Sequence, residues 1–236
     1  MTITSKFGTF VHPDHVPQSW RNEKRGRSSL PYLAKVGLAP KIYTSLRKGI
    51  VPDTISYALS KFVSIPSVSS SPSNREDCRQ AAIWLRKCLT QLGARSSLVR
   101  SALHKRAFPN SLSTQLPTGE GVNPLVLGTF TGQGTQKRPR LLFYGHYDVI
   151  PAPSEGWTSD PFTLNGRNGY LYGRGATDNK GPIMAVAFAA GELLYRRALG
   201  VDVVFLIEGE EESGSAGFED AVRKYKVFAE ICIGRW

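Results

Sequence analysis

Cysteine and histidine are both scarce in this 236-residue chain. Cys78, Cys88 and Cys232 are its three thiols, with no C-x-x-C pair and no even framework. That excludes a disulfide-stapled secreted domain and a cysteine zinc finger, and it favours a reducing, cytoplasmic compartment. The four histidines are His12, His15, His104 and His146, too few and too dispersed for a histidine-rich metal cage. Long apolar runs are missing too. The longest, Ile183 to Ala190, is far short of a bilayer span. The opening MTITSKFGTF carries no apolar signal core. Apolar residues make up 41% and charged residues 21%, the composition of a globular chain.

The formal charge is +11, unevenly spread. Residues 1–50 hold nine Lys/Arg against two acids, and 94–140 hold seven against one, whereas 141–236 hold nine against thirteen. The basic excess lies in stretches without periodic pattern. A nucleic-acid binder needs its cations on an organised face, so that class is disfavoured. Residues 1–50 are broken by Pro13, Pro17, Pro31 and Pro40 and read as a basic, poorly ordered leader. Its basic, acid-poor composition also fits a mitochondrial transit peptide, though no clear amphipathic helix is present.

Regular structure is expected from about residue 54. Ile55, Ala58, Leu59, Phe62 and Val63 recur at helical spacing behind Asp53 and Thr54, either of which can cap. Ser73 and Glu76 have the spacing of a capping box. The face Cys78, Ala81, Ala82, Leu85, Cys88, Leu89 and Leu92 then marks a helix ended by Gly93, with both cysteines as small core residues. Residues 99–116 have no period and read as a basic insert. Leu125–Phe130 and Leu141–Tyr144 read as strands. Phe162–Leu164 and Tyr170–Tyr172 flank two Asn-Gly pairs as a hairpin. Pro182–Arg197 and Phe218–Tyr225 read as helices around the buried strand Val203–Ile207. Strands alternating with helices define an α/β layered class.

Three clusters follow or precede these elements. Tyr144-Gly145-His146-Tyr147-Asp148 delivers an imidazole at a strand's C-terminal edge, where α/β sheets place their sites, with Asp148 close enough to orient it. H-x-D alone is a weak signal, and chance surface neighbours give the same pattern. Gly173-Arg174-Gly175 imitates a dinucleotide loop, but Asp178 stands where the third glycine belongs, and an anion there repels a pyrophosphate. Asp178 alone is as readily a helix-start acid. Glu208-Gly209-Glu210-Glu211-Glu212 follows a strand, and its bland reading is a solvated acidic loop. Together the clusters offer one imidazole and several carboxylates, a donor set suited to zinc or a similar divalent ion.

The texts LLFYGHYDV, GWTSDPF, GYLYGRGATDNKGP and EGEEESGS, in that order, resemble the di-zinc metallopeptidase family of aminoacylase, carboxypeptidase G, carnosine dipeptidase and the ArgE/DapE deacylases, peptidase family M20. DNKGP and HYDVIP look most like its fungal glutathione-degrading DUG branch. The resemblance implies a layered catalytic domain with a mixed central sheet and helices on both faces. It also implies a metal-dependent hydrolase of small peptide amides, in glutathione or Cys-Gly degradation, with two divalent ions, zinc first and manganese as the alternative. By resemblance His146 binds one metal and Asp148 orients it. Asp178 bridges both metals and is followed by a cis peptide, Glu211 is the general base, and Glu212 holds the second metal. Glu208 and Glu210 are left as spectators. His146, Asp178 and Glu212 should then converge on one point.

The chain departs from that family in lacking a later histidine and a later strand-borne acid, Glu230 being the sole acid of its final segment. The resemblance therefore reads as C-terminally incomplete. Residues 54–236 would be a partial catalytic domain with an insert at 99–116 and no dimerisation or lid domain, with little activity alone. The alternative is a non-catalytic or partially active subunit of a glutathione-degrading complex with an amidotransferase-like partner. The expected partners are a small peptide and, for the full-length protein, a second copy or an amidotransferase-like subunit, with no nucleic acid and no membrane.

Overall fold

In the computed structural model, residues 52–99, 123–134, 138–153 and 155–224 are described. The expected leader at 1–50 and most of the expected insert at 99–116 lie outside them. Helix α1 (Pro52–Val63) is followed by a 3-10 turn at Pro72–Asn74 and helix α2 (Arg75–Gln91). Strands β1 (Arg95–Val99), β2 (Leu125–Phe130) and β3 (Arg140–His146) come next, then the short strands β4 (Asn165–Arg167) and β5 (Tyr170–Tyr172). Helix α3 (Lys180–Tyr195), strand β6 (Asp202–Glu208), a 3-10 turn at Glu211–Ser213 and helix α4 (Phe218–Lys224) complete the order.

The main sheet has the order β1-β2-β6-β3. β1 with β2 and β2 with β6 are antiparallel, while β3 and β6 are parallel. It is the mixed sheet with helices on both faces that the α/β class requires. Val126, Phe130, Val203, Phe205 and Ile207 point to one face and join α1, α2 and α3 in the main core. Leu125, Leu206 and partly buried Leu142 point to the other and meet Ala221, Val222 and Phe218 of α4. This two-faced burial explains why β6 reads as an unbroken apolar run. The aromatic centre is a stack of Phe62 on Trp84, centroids 4.8 Å apart, and a tilted group in which Phe205 touches Phe130 and Phe143. Among the described residues no helix is long and apolar enough to cross a membrane.

Several local expectations are corrected. Asp53 and Thr54 lie inside α1, which begins at Pro52, a residue preset for a first helical turn. The Ser73–Glu76 capping box does not form. α2 starts after Asn74, whose amide donates to Asp77 at 2.9 Å, and Glu76 turns instead to Arg79 and Gln80. The first hairpin strand is Asn165–Arg167 and not Phe162–Leu164, because Asp160 folds that segment into a turn by accepting from the Phe162 amide and the Thr163 hydroxyl. Of the two Asn-Gly pairs, Asn168-Gly169 makes the turn, with φ of 52° and 79°, and Asn165-Gly166 lies in the strand. β1 was not expected. It is an edge strand of polar Arg95-Ser96-Ser97 that buries Val99, so hydrophobic alternation is nearly silent there.

Cys78 and Cys88 are free and buried, and burial pushes both thiols up to about 12. The thiolate is the reactive form. Iodoacetamide at neutral pH is therefore expected to leave the Cys78 and Cys88 peptides unmodified in the native chain and to label them after urea unfolding, as read by peptide mass spectrometry.

Candidate metal centre

β3 and β6 run side by side in parallel, with His146 directly opposite Glu208 at their C-terminal ends. Both following loops therefore leave from the same sheet edge. Two glycines permit the close packing. A Cβ on Gly145 would stand 2.4 Å from Asn179 Oδ1, and one on Gly209 would stand 2.1 Å from the Tyr147 ring. A side chain at either position would push the Asp178 loop or the glutamate loop away from His146.

Asp148, fully buried, joins the two loops. Its Oδ1 accepts from the Glu211 amide at 3.3 Å and its Oδ2 from the Glu212 amide at 3.0 Å, satisfying donors at the start of the 3-10 turn. The same Oδ1 is 3.5 Å from His146 Nδ1, which also lies 3.1 Å from the Asp148 carbonyl oxygen. With Nδ1 turned to Asp148, Nε2 is the imidazole atom that faces outward. Asp178 Oδ1 is 3.0 Å from it and Glu211 Oε2 3.8 Å.

Ligand atoms of His146, Glu211 and Glu212 all lie within 4.8 Å of one another. The convergence differs from the expected trio. Glu211 is in the group, whereas Asp178 meets it through His146 and is itself largely exposed. The Asp178–Asn179 peptide is cis.

The electrostatics is that of gathered negative charge. Burial disfavours a charged His146 ring, yet Asp148 and Asp178 outweigh it and hold the ring's pKa up at about 9. Glu212 is raised by burial and by Asp178, Glu211 and Asp148, against the opposing pull of His146. Carboxylates that repel one another around an outward imidazole nitrogen form a donor set that a divalent cation would neutralise, so the residues present fit a metal.

The rest of the acidic run is not a solvated loop. Glu208 is buried, accepts from Tyr144 Oη at 2.5 Å and Ser215 Oγ at 3.1 Å, and leaves Oε2 without a hydrogen-bond partner. Burial raises its pKa. Glu210 accepts from the Asn123 amide at 2.9 Å and from Ser213 Oγ at 2.7 Å, and Asn123 Nδ2 donates to the Gly209 carbonyl. These two glutamates shape the loop that Glu211 and Glu212 occupy. Tyr144, Asn123, Ser67 and Lys180 also support the centre; Tyr144 and Lys180 lie inside the family-like texts but have no role assigned there, and Asn123 and Ser67 stand in no chemical cluster of the sequence.

Residues 142–235 match the profile of peptidase family M20/M25/M40. The chain is similar to the probable di- and tripeptidase DUG2 of Saccharomyces cerevisiae, 39% identical over 71% of this chain and 18% of that protein. It is also similar to the Cys-Gly metallodipeptidase dug1 of Schizosaccharomyces pombe, 37% identical over 74% of this chain and 36% of that one. The crystal structure of human carnosine dipeptidase 1 superposes with a TM-score of 0.63 at 33% identity, covering 79% of this chain and 37% of the other. The chain thus spans roughly a fifth to a third of the length of these curated relatives. Over the segment that these likenesses cover, the chain is similar to peptidase family M20/M25/M40.

Proposed function

We propose that this chain carries part of the active site of a metal-dependent hydrolase of small peptide amides, of the dipeptidase type. The observation that supports it most is the grouping of His146, Glu211 and Glu212 within 4.8 Å, with Asp148 holding both the imidazole and the glutamate amides. His146 would offer Nε2, Glu212 a carboxylate oxygen, and Asp178 the oxygen that lies 3.0 Å from that same nitrogen. A bound divalent ion supplies a Lewis acid and a water of lowered pKa. Asp148 fixes the His146 tautomer that leaves Nε2 unprotonated. Glu211 accepts the proton of the attacking water and returns it to the leaving amine.

Zinc is the proposed ion, two per complete site, on the imidazole-and-carboxylate donor set, with manganese as the alternative. The proposed substrates are Cys-Gly and related dipeptides, on the strength of the relatives' names. The proposed compartment is the cytoplasm, supported by the buried free thiols of Cys78 and Cys88. For the full-length protein the proposed partner is a second copy or an amidotransferase-like subunit, on the likeness to the DUG branch. Calorimetric titration of EDTA-stripped chain with Zn²⁺ and Mn²⁺ is the first test. Zn²⁺ binding that His146→Ala weakens at least tenfold is expected. Equal binding by His146→Ala would remove the centre from this sheet edge. Turnover of Cys-Gly, carnosine and an N-acyl amino acid then separates dipeptidase from deacylase chemistry.

A further inference from the structure

Lys180 is fully buried, yet among the described residues no carboxylate lies within ion-pair distance of its ammonium. Its Nζ donates instead to two main-chain carbonyls, Phe62 at 3.0 Å and Ile65 at 2.7 Å, and stands 5.0 Å from the centroid of the Phe62 ring. These carbonyls lie at and just beyond the C-terminal turn of α1, where the helix dipole favours a cation, and the Phe62 carbonyl also accepts from the Ile65 amide at 3.3 Å. Burying an ammonium on neutral acceptors costs free energy that a hydrophobic side chain would not. Lys180 is the first residue of α3, two positions after Asp178.

A few residues on, the same stretch grips the other loop. Ser67, also fully buried, donates from Oγ to the Tyr147 carbonyl at 2.7 Å. Its own carbonyl accepts from the Val149 amide at 2.9 Å, and Val68 bridges Val149 in parallel. Tyr147 and Val149 flank Asp148 and follow His146. Residues 62–68 are therefore hydrogen-bonded to the Asp178 side through Lys180 and to the His146–Asp148 side through Ser67.

We propose that residues 62–68 are a clamp that sets the spacing of the His146 loop and the Asp178 loop, with Lys180 and Ser67 as its two positioning residues. The inference rests on the metal-site reading above and adds to it residues that touch neither metal nor substrate. The clamp explains why a lysine stands where a methionine would fill the same volume, since its Nζ can donate to two carbonyls at once and so tie α1 to the start of α3.

The test is Co²⁺ titration of the metal-free 236-residue chain, followed by its visible absorption spectrum, for the parent, Lys180→Met and Ser67→Ala. Circular dichroism and a thermal melt report whether each variant folds. Leu89→Ala, a core deletion whose side chain packs on Gly128 of β2, controls for lost stability alone. Both clamp variants are expected to bind Co²⁺ about 10–100-fold more weakly, as supporting-residue losses do. Their d–d bands should change in position or intensity, while Leu89→Ala keeps the parent spectrum. If folded clamp variants keep the parent affinity and spectrum, the clamp is overturned and the metal site stands. A parent chain that binds no Co²⁺ overturns the metal site and the clamp with it. Should Lys180→Met fail to fold, Ser67→Ala, which removes a single hydroxyl, decides the question.

Discussion

Glu211→Gln is expected to lower dipeptide turnover by ~10²–10⁴-fold in any form of the protein that hydrolyses a dipeptide, with metal affinity nearly unchanged. The swap preserves the shape of the side chain and removes the proton acceptor. Its neighbour should behave differently. Glu212→Gln takes away a negative oxygen from a cluster in which burial and three other carboxylates already raise that group's pKa, and its main effect should be on metal retention. The two phenotypes are separable by Co²⁺ titration alongside a Cys-Gly assay. Glu211 nevertheless sits in the tight group with His146 and Glu212. The result that would reverse the assignment is therefore a Glu211→Gln chain that loses metal while Glu212→Gln holds it.

The second large effect is expected at Asp148. Asp148→Ala leaves the Glu211 and Glu212 amides without their acceptor and frees the His146 ring from its carboxylate. A buried donor left unmade costs about 1–3 kcal/mol, and losing the group that orients a ligand typically costs ~10–100-fold in metal affinity. Both losses should appear in one protein, as a lower urea midpoint for the metal-free chain and a weaker Zn²⁺ isotherm. An unchanged midpoint would mean that the two amides find other partners and that the 3-10 turn does not depend on Asp148.

The two predictions draw on different kinds of legibility. His146, Asp148, Asp178, Glu211 and Glu212 were nameable because each stands beside a turn residue at a strand or helix end, in texts that a family shares. The grouping of Glu211 with His146 and Glu212 was not legible. Sequence spacing gives no distance in space, and it is the β3–β6 register, with the 3-10 turn at Glu211–Ser213, that brings both glutamates to His146. Glu208 and Glu210 read as two more charges of a solvated run. In the fold one is buried under Tyr144 and Ser215, and the other fastens Asn123 to the loop. Partners this remote in the chain, such as Asn123 and Glu210, leave no local pattern.

By itself the sequence determined what depends on near neighbours. Apolar residues at helical spacing placed the bodies of α1 and α2, a proline near the first turn placed α3, the unbroken apolar run placed β6, and Asn-Gly pairs placed a hairpin within a few residues. Element starts, the edge strand β1 and the choice between two Asn-Gly turns were decided by tertiary contacts, because the competing local options differ by little free energy. The site was decided in the same way. The parallel register of β3 and β6 puts His146 opposite Glu208, two glycines let the loops close, and Asp148 joins them. Ser67 and Lys180, 113 positions apart in the chain, tie residues 62–68 to the His146 and Asp178 loops. Such contacts exist only once the sheet has formed, since hydrogen bonds between distant buried groups are specified by where the backbone carries them.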